Sequence, residues 1–300
     1  MKTITLHRYY DRKSSSIINE KIFGQKFLFW SYNTTVGRLL TTFVLSHRFV
    51  SWIYGRWANS ALSRPMVRKF ALTVGIDASE FDNQFSSFNK FFTRKLVNKP
   101  LFEKNSTGIC FSPTSGKILV FDTIEPDKKF QIKRNQFNLK TFLRQPDLIH
   151  LFANGSMAII RLSMYDYHYI HFPDSGYPIR YHAISGKYYA GNSYSFKKLT
   201  QYFSENYRVI TILQSDHFGE IAIVEIGAFC VGSIKQYFNL KQKVASGDIK
   251  GRFELGGSTV VILFQQGTIT FDKDIIEQSI KGMETSITIG DRIGIRRELS

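Results

Sequence analysis

A serine preceded by two glycines stands immediately before an apolar run in residues 252–264, which read RFELGGSTVVILF. The apolar run predicts a β-strand, which paired glycines weaken because they have no side chains to pack. One interpretation of the glycines is a bulge or a turn. The other is chemical: the Ser258 hydroxyl attacks the Gly257 carbonyl, the chain passes through an ester, and elimination leaves a new carbonyl group at residue 258.

Two histidines are candidates for taking the serine proton. They are His168 and His171, in the stretch YDYHYIHFPDSG. On a strand their side chains point to opposite faces, whereas on a helix they would share one face. Either could be a general base; the alternative is that both are structural histidines in an aromatic strand. No cysteine or carboxylate ligand pattern accompanies them, so we predict no metal site.

The patterns that must position these residues divide the chain into two parts. Residues 21–80 predict helices that mix bulky apolar residues with spaced arginines. From about residue 108 onward the sequence predicts strands separated by turns, and SPTSG at residues 112–116 reads by itself as an ordinary β-turn. We therefore expect an α+β fold, with a mainly helical N-terminal region over residues 1–105 and a β-rich catalytic core over residues 106–300.

The charge of the chain favours an anionic partner. The 300 residues include 40 Lys and Arg against 24 Asp and Glu, a net charge of +16, and residues 1–80 alone contribute +8. The three tryptophans also lie there: Trp30, Trp52 and Trp57. Amphipathic helices of this composition can lie in a membrane interface. The alternative is ordinary surface helices that pack on the core.

Other classes of site and segment are not indicated by the sequence. Cys110 and Cys230 are far apart in apolar surroundings, which predicts buried free thiols and a reducing compartment. We find no phosphate-binding loop, dinucleotide fingerprint, GxSxG or HExxH motif, and no nucleic-acid module, so no nucleic-acid partner is expected. The sequence shows neither a secretory signal nor an apolar run of 18 residues.

Six stretches together resemble the phosphatidylserine decarboxylase family in their order and approximate spacing over nearly the whole chain. They are YYDRKSSSIINEKIFGQKFLFWSYNTTVG, FFTRKL, SPTSGKIL, YDYHYIHFPDSG, EIGAFCVGSI and KGRFELGGSTVVILF. Each stretch alone is weak, but the combination is specific.

The resemblance implies a self-processing proenzyme. Cleavage between Gly257 and Ser258 would give a β chain of residues 1–257 and an α chain of residues 258–300, and Ser258 would become a covalent pyruvoyl cofactor. Phosphatidylserine would form a Schiff base with this group, lose CO2 and leave as phosphatidylethanolamine. The family assigns the residue that matches His171 to self-cleavage and the one that matches His168 to decarboxylation.

The resemblance also implies partners and a location. These are phosphatidylserine, an anionic membrane surface, the self-derived α and β chains, and a homodimer of processed protomers. The expected location is peripheral, on the cytoplasmic face of the cell membrane.

One departure from the family bears on self-cleavage. Ser115 stands where the family has an aspartate that completes an Asp–His–Ser triad, and a hydroxyl does not stabilise an imidazolium as a carboxylate does. Asp122 or Asp166 could substitute. The alternative function is a family member that no longer processes itself and acts as a lipid-surface binding protein.

Overall fold

The computed structural model describes residues 8–20, 24–74, 85–96, 102, 107–125, 130–132, 135–189, 202–228, 234–254 and 258–297. Seventeen strands lie in these residues. They are β1 (Arg8–Asp11), β2 (Ser16–Asn19), β3 (Ile109–Phe111), β4 (Gly116–Phe121), β5 (Phe130–Ile132), β6 (Asn135–Phe137), β7 (Ser156–Leu162), β8 (Tyr169–His171), β9 (Gly176–Ile184), β10 (Arg208–Ser215), β11 (Gly219–Ile226), β12 (Ile234–Gln236), β13 (Ile249–Phe253), β14 (Ser258–Phe264), β15 (Ile269–Phe271), β16 (Glu284–Ile287) and β17 (Arg292–Arg296).

Nine of these strands form one sheet, in the order β2, β1, β16, β4, β7, β14, β11, β10, β9. Neighbouring strands run antiparallel except β1 and β16, which are parallel. Three small sheets accompany it: β12, β13 and β8 form one, β15, β17 and β3 another, and β5 with β6 the third.

Strand β14 lies in the middle of the large sheet, between β7 and β11. All seven of its residues are buried, which explains why its sequence is continuously apolar rather than alternating. Four consecutive β-branched residues from Thr259 to Ile262 suit the extended backbone. Ser258 is the first residue of this strand and pairs with Leu162.

Helices lie mainly before the core strands. They are α1 (Gln25–Asn33), α2 (Thr35–Leu40), α3 (Arg48–Asn59), α4 (Pro65–Val74), α5 (Phe88–Phe92), α6 (Leu139–Leu143), α7 (Pro146–Leu151), α8 (Tyr202–Glu205) and α9 (Lys273–Ile280), with a π-helical turn at Thr41–Leu45 and a 3-10 turn at Ala61–Ser63. Side chains cap three short helices at their N-termini: Thr34 for α2, Ser87 for α5 and Asn138 for α6.

The structure confirms the predicted α+β class and the helical character of the N-terminal region. The division into two regions at residue 105 stays a prediction, and one finding departs from it. The β1–β2 hairpin precedes the helices in sequence, yet β1 pairs with β16 and so joins the core sheet. Cys110 is a buried free thiol, as expected, and Cys230 lies outside the described residues.

A buried ion cluster joins this hairpin to the sheet. The guanidinium of Arg161 on β7 donates two hydrogen bonds to Glu20, at 2.9 and 3.0 Å, and two to Glu284 on β16, both at 2.9 Å. Burial raises the pKa of Glu20, but the charge of Arg161 outweighs it and holds that pKa below its usual value. One guanidinium therefore bonds both carboxylates.

We expect Arg161→Met to destabilise the protein by about 3–5 kcal/mol at pH 7, because it removes the buried guanidinium that bonds both buried carboxylates. Urea unfolding measures the change. Arg180→Met is the matched control, because the Arg180–Asp147 pair is largely exposed and such pairs contribute at most about 1 kcal/mol. Equal losses in the two variants would contradict the stabilising role of the cluster.

Candidate active site

Ser258 is fully buried at the start of β14. Its hydroxyl has no hydrogen-bond partner among the described residues. Buried hydroxyls are usually hydrogen-bonded, so an exception requires an explanation, and a reactive role is one. Gly257, on the other side of the predicted cleavage point, lies outside the described residues.

His171 ends β8 in a single tautomer. Its Nδ1 lies 2.7 Å from the carbonyl oxygen of Gly247, and because a carbonyl only accepts, Nδ1 carries the proton. The lone pair is therefore on Nε2, to which the Tyr167 hydroxyl donates at 3.3 Å. Burial lowers the pKa of His171, against the opposing effects of the Gly247 hydrogen bond and the Asp248 charge. The neutral ring thus presents a basic Nε2.

His168 lies one residue before β8 in a different environment. It is buried, and neither ring nitrogen makes a hydrogen bond of good geometry with the described residues. Its ring packs on Phe92 with the ring centroids 3.8 Å apart. Burial and the nearby Arg94 charge lower the pKa of His168 to about 3, although the backbone of Asp166 opposes this shift. His168 is therefore neutral at physiological pH.

The pairing of β8 with β13 holds both histidines beside the chain that leads into Ser258. The Phe253 amide donates to the His168 carbonyl at 3.0 Å, five residues before Ser258. The next residue, Glu254, accepts a hydrogen bond from Asn89 at 2.7 Å and another from Arg252 at 2.9 Å. Hydrogen bonds at Phe253 and Glu254 thus hold the chain in place a few residues before the predicted cleavage point.

The turn at residues 112–116 also lies against His171, whose amide donates to the Pro113 carbonyl at 2.8 Å. The Ser115 hydroxyl, however, accepts a hydrogen bond from the Ile289 amide at 3.0 Å. The turn that carries the family's aspartate position therefore contacts the backbone of His171. Ser115, which occupies that position, bonds to the Ile289 amide.

The two suggested substitute carboxylates do not bond to His171. Asp166 pairs with Lys117 at 3.0 Å and accepts from the Ser163 amide at 2.6 Å, and Asp122 is exposed. The structure instead brings the Gly247 carbonyl and the Tyr167 hydroxyl to the ring. The sequence analysis missed both groups. Tyr167 is in the histidine stretch itself, whereas Gly247 left only the weak signal of a Ser-Gly-Asp turn.

A separate cavity of about 610 Å³ opens near the turn. It is lined by Tyr9, Asp11, Arg12, Lys13, Gly116, Lys117, Tyr165, Asp166, Asp272, Ser286, Ile287, Thr288, Asp291 and Arg292. Ser258, His168 and His171 are not among its lining residues, so we do not assign it to their chemistry. The described residues hold no group of three or more His, Cys, Asp or Glu arranged to bind a metal ion.

Comparison with known proteins identifies the family. The sequence model of the phosphatidylserine decarboxylase family matches residues 88–295. The phosphatidylserine decarboxylase proenzyme of Clostridium tetani is 39% identical over 96% of this chain and 97% of its own length. That of Desulfitobacterium hafniense strain Y51 is 38% identical over 97% of this chain and 99% of its own.

Among solved structures, glucose permease IIA from Mycoplasma capricolum matches 65% of this chain and 99% of its own. The TM-score is 0.31 and the identity 13%, a similarity too low to inform the fold. The sequence relationships are decisive, because they extend over almost the full chain at more than a third identity. The chain therefore belongs to the phosphatidylserine decarboxylase family, a family of carboxy-lyases that are made as proenzymes.

Proposed function

We propose that this chain cuts itself between Gly257 and Ser258 and then converts phosphatidylserine to phosphatidylethanolamine and CO2. The observation that carries the proposal is the Ser258 hydroxyl, which is buried at the predicted cleavage position without a hydrogen-bond partner among the described residues. The His171 tautomer supports it, because the lone pair of the neutral ring is on Nε2 and is held only by a long 3.3 Å hydrogen bond from Tyr167, which the Ser258 hydroxyl can displace. The relatives named above are phosphatidylserine decarboxylase proenzymes.

In the proposed self-cleavage, Nε2 of His171 removes the Ser258 proton while Oγ attacks the carbonyl carbon of Gly257. The amide C–N bond breaks, the nitrogen of residue 258 takes the proton, and an ester joins the two chains. Loss of the Cα proton of residue 258 then breaks the Cβ–Oγ bond and frees Gly257 as a carboxylate. The resulting enamine adds water and releases ammonia, which leaves a pyruvoyl group on the α chain.

The surroundings of Ser258 fit such a group. It would be held covalently at the first residue of the α chain, at a position that is fully buried and paired with Leu162. Burial limits the access of competing water. Once formed, the group supplies an electrophilic carbonyl that withdraws electrons from the substrate amine and its α-carbon, so that CO2 can leave.

We assign His168 to the decarboxylation step. With a pKa of about 3 its ring stays neutral at physiological pH, so it contributes no fixed charge. A neutral imidazole can relay a proton: its N–H hydrogen passes to the substrate carbon that loses CO2 while its other nitrogen takes up a proton from water, so the ring ends neutral. Its packing on Phe92 holds the ring in place for this transfer.

The alternative function, a processing-deficient lipid-surface binder, is favoured by one observation. Ser115 places no carboxylate in the position of the family's aspartate, and its hydroxyl bonds to the Ile289 amide. Such a protein would bind vesicles but would remain one uncut chain that releases no CO2.

We assign membrane docking to the helices between residues 24 and 74. Twelve of the twenty exposed large hydrophobic side chains in the described residues lie there: Phe27, Trp30, Val36, Leu39, Leu40, Phe43, Val44, Phe49, Trp52, Ile53, Leu62 and Leu72. Arg56 stacks over Trp52 at 5.4 Å, which pairs an aromatic ring with a cation. Exposed apolar surface of this extent marks an interaction site, and neighbouring basic residues suit an anionic lipid surface.

Among the described residues, none of the helices has both the length and the apolarity that a membrane span requires. The resemblance to the family separately implies peripheral attachment at the cytoplasmic face of the cell membrane and a homodimer of processed protomers, and both stay predictions.

The first prediction of the proposed function concerns processing. Purified wild-type protein should give two masses, for residues 1–257 and for residues 258–300 with a blocked N-terminus, whereas Ser258→Ala should stay whole because the nucleophile is absent. Ser156→Ala is the control, because Ser156 is likewise a buried first residue of a central strand, and it should cut normally. A wild-type chain found whole, with an unmodified Ser258, would refute self-processing.

The second prediction separates the two histidines. We expect His168→Ala to cut itself but to lose roughly 100-fold to 10,000-fold in CO2 release, the usual contribution of a general acid or base. His171→Ala should fail at the cutting step. Intact mass and released CO2, measured on the same samples, test both. A His168→Ala enzyme with normal turnover would remove that residue from the mechanism.

The third prediction concerns docking. Phe43→Asp and Leu72→Asp, at side chains 73% and 76% exposed, should each weaken binding to phosphatidylserine vesicles at least tenfold, since burying such a side chain stabilises by about 1.5–3 kcal/mol. Flotation measures binding. Ile280→Asp is the control, because Ile280 is 81% exposed at the end of α9. Equal losses in all three variants would argue against a docking surface on the helices.

A further inference from the structure

His171 must keep one tautomer and one orientation to act as a base, and a triad aspartate normally secures both. In this chain, the Nδ1–H of His171 donates to the Gly247 carbonyl at 2.7 Å instead. Among the described residues, the Ser115 hydroxyl bonds to the Ile289 amide, and the partners of the His171 ring are Gly247 and Tyr167. A main-chain carbonyl oxygen therefore accepts the Nδ1–H hydrogen bond that a triad aspartate would accept.

The turn that carries this oxygen, residues 244–248, is fastened to its surroundings at several points. Val244 exchanges two backbone hydrogen bonds with Gly176, at 2.9 and 3.1 Å, and the Gly247 amide donates to the Phe172 carbonyl at 2.9 Å. The Phe172 amide donates to the Asp248 carbonyl at 2.9 Å. Phe172 directly follows His171 in the chain. The backbone hydrogen bonds of Gly247 and Asp248 to Phe172 therefore hold the Gly247 carbonyl next to the His171 ring.

One side chain and one glycine set the shape of the turn. The Asp248 carboxylate accepts from the Ala245 amide at 2.7 Å, which closes the turn on itself. Gly247 has a φ of +85°, and a Cβ there would lie 2.7 Å from ring atoms of Phe102. The Phe102 ring in turn stacks on His171, with centroids 5.8 Å apart. A side chain at residue 247 would therefore displace the carbonyl, the Phe102 ring or both.

We propose that the Gly247 carbonyl, held by the turn at residues 244–248, orients His171 in place of the missing triad carboxylate. Gly247 and Asp248 are then positioning residues. The inference rests on the proposed function insofar as His171 is the base for self-cleavage. A neutral carbonyl fixes the tautomer but stabilises the imidazolium less than a carboxylate would, so self-cleavage is expected to be slower than with a complete triad.

Geometry rather than charge carries this role. Tyr167 and Asp248 are the titratable groups that the described residues bring to the ring. Tyr167 faces Nε2, and Asp248 is exposed, so water screens its carboxylate. Removing the charge of Asp248 while keeping its acceptor oxygen should therefore change little, whereas moving the Gly247 carbonyl should change much.

The test compares Gly247→Ala, Gly267→Ala and Asp248→Asn. Gly267 has a φ of +73° with open space around its Cβ position, so its variant controls for backbone strain alone. We expect Gly247→Ala to slow self-cleavage at least about tenfold, and Gly267→Ala to leave it unchanged. Asp248→Asn should cost less than about fivefold, the upper end for an exposed charge. A loss in Asp248→Asn as large as in Gly247→Ala would overturn the proposal.

A second measurement does not depend on activity. In a Ser258→Ala background the chain stays whole, and ¹⁵N NMR of labelled histidines reports the His171 tautomer. We expect the Nδ1–H form with Gly247, and a mixture of tautomers with Gly247→Ala, or with Asp248→Ala if the former does not fold. An unchanged tautomer in the folded variant would overturn the proposal. If the tautomer shifts while wild-type protein never cuts itself, the proposed function fails and the orienting role stands.

Discussion

The burial of Ser258 at the first residue of a central strand is the constraint on which the site depends. β14 pairs with β7 on one side and β11 on the other, and all seven residues are buried. Ser258, as the first residue of such a strand, therefore lies in a dry environment. There, the Ser258 hydroxyl has lost water and gains no hydrogen bond from the described residues, and charged groups act more strongly on one another.

Two histidines three residues apart acquire different properties from their surroundings. His171 has a carbonyl at one nitrogen and a tyrosine hydroxyl at the other, which together define its tautomer. His168 has an aromatic ring against its face, and its burial together with the nearby Arg94 charge keeps it neutral. The same residue type is thus suited to two roles, because burial and neighbouring groups set the state of each ring.

The helical layer that carries the exposed apolar side chains also touches the site. Asn89 on α5 donates one hydrogen bond to Asn59 at the end of α3 and another to Glu254, both at 2.7 Å. Phe92 on the same helix packs on His168. α3 also bears the exposed Trp52. The helices with exposed apolar side chains and the chain leading into Ser258 are therefore joined through one short helix, a link that the proposed function would use to bring the site to a lipid surface.

The sequence by itself determined the local elements. The run of β-branched residues after Ser258 indicated a strand, the mixture of apolar and basic residues over 21–80 indicated helices, and the histidine stretch was placed in the β-rich part of the chain. It also marked Ser258, His168 and His171 as chemical candidates, and the family motifs gave their expected roles. These features depend on neighbours in the chain, which is why periodicity and composition reveal them.

Only the tertiary structure decided which groups meet across long stretches of chain. Gly247 lies 76 residues from His171, and Ile289 lies 174 residues from Ser115. The β1–β2 hairpin pairs with β16, near the opposite end of the chain. Glu20, which follows the hairpin, bonds to Arg161 on β7. Such hydrogen bonds depend on where the chain returns in space, and a main-chain carbonyl leaves no mark in the residue types. The physical reason is that any residue can supply the carbonyl, whereas the fold alone decides which one faces the ring.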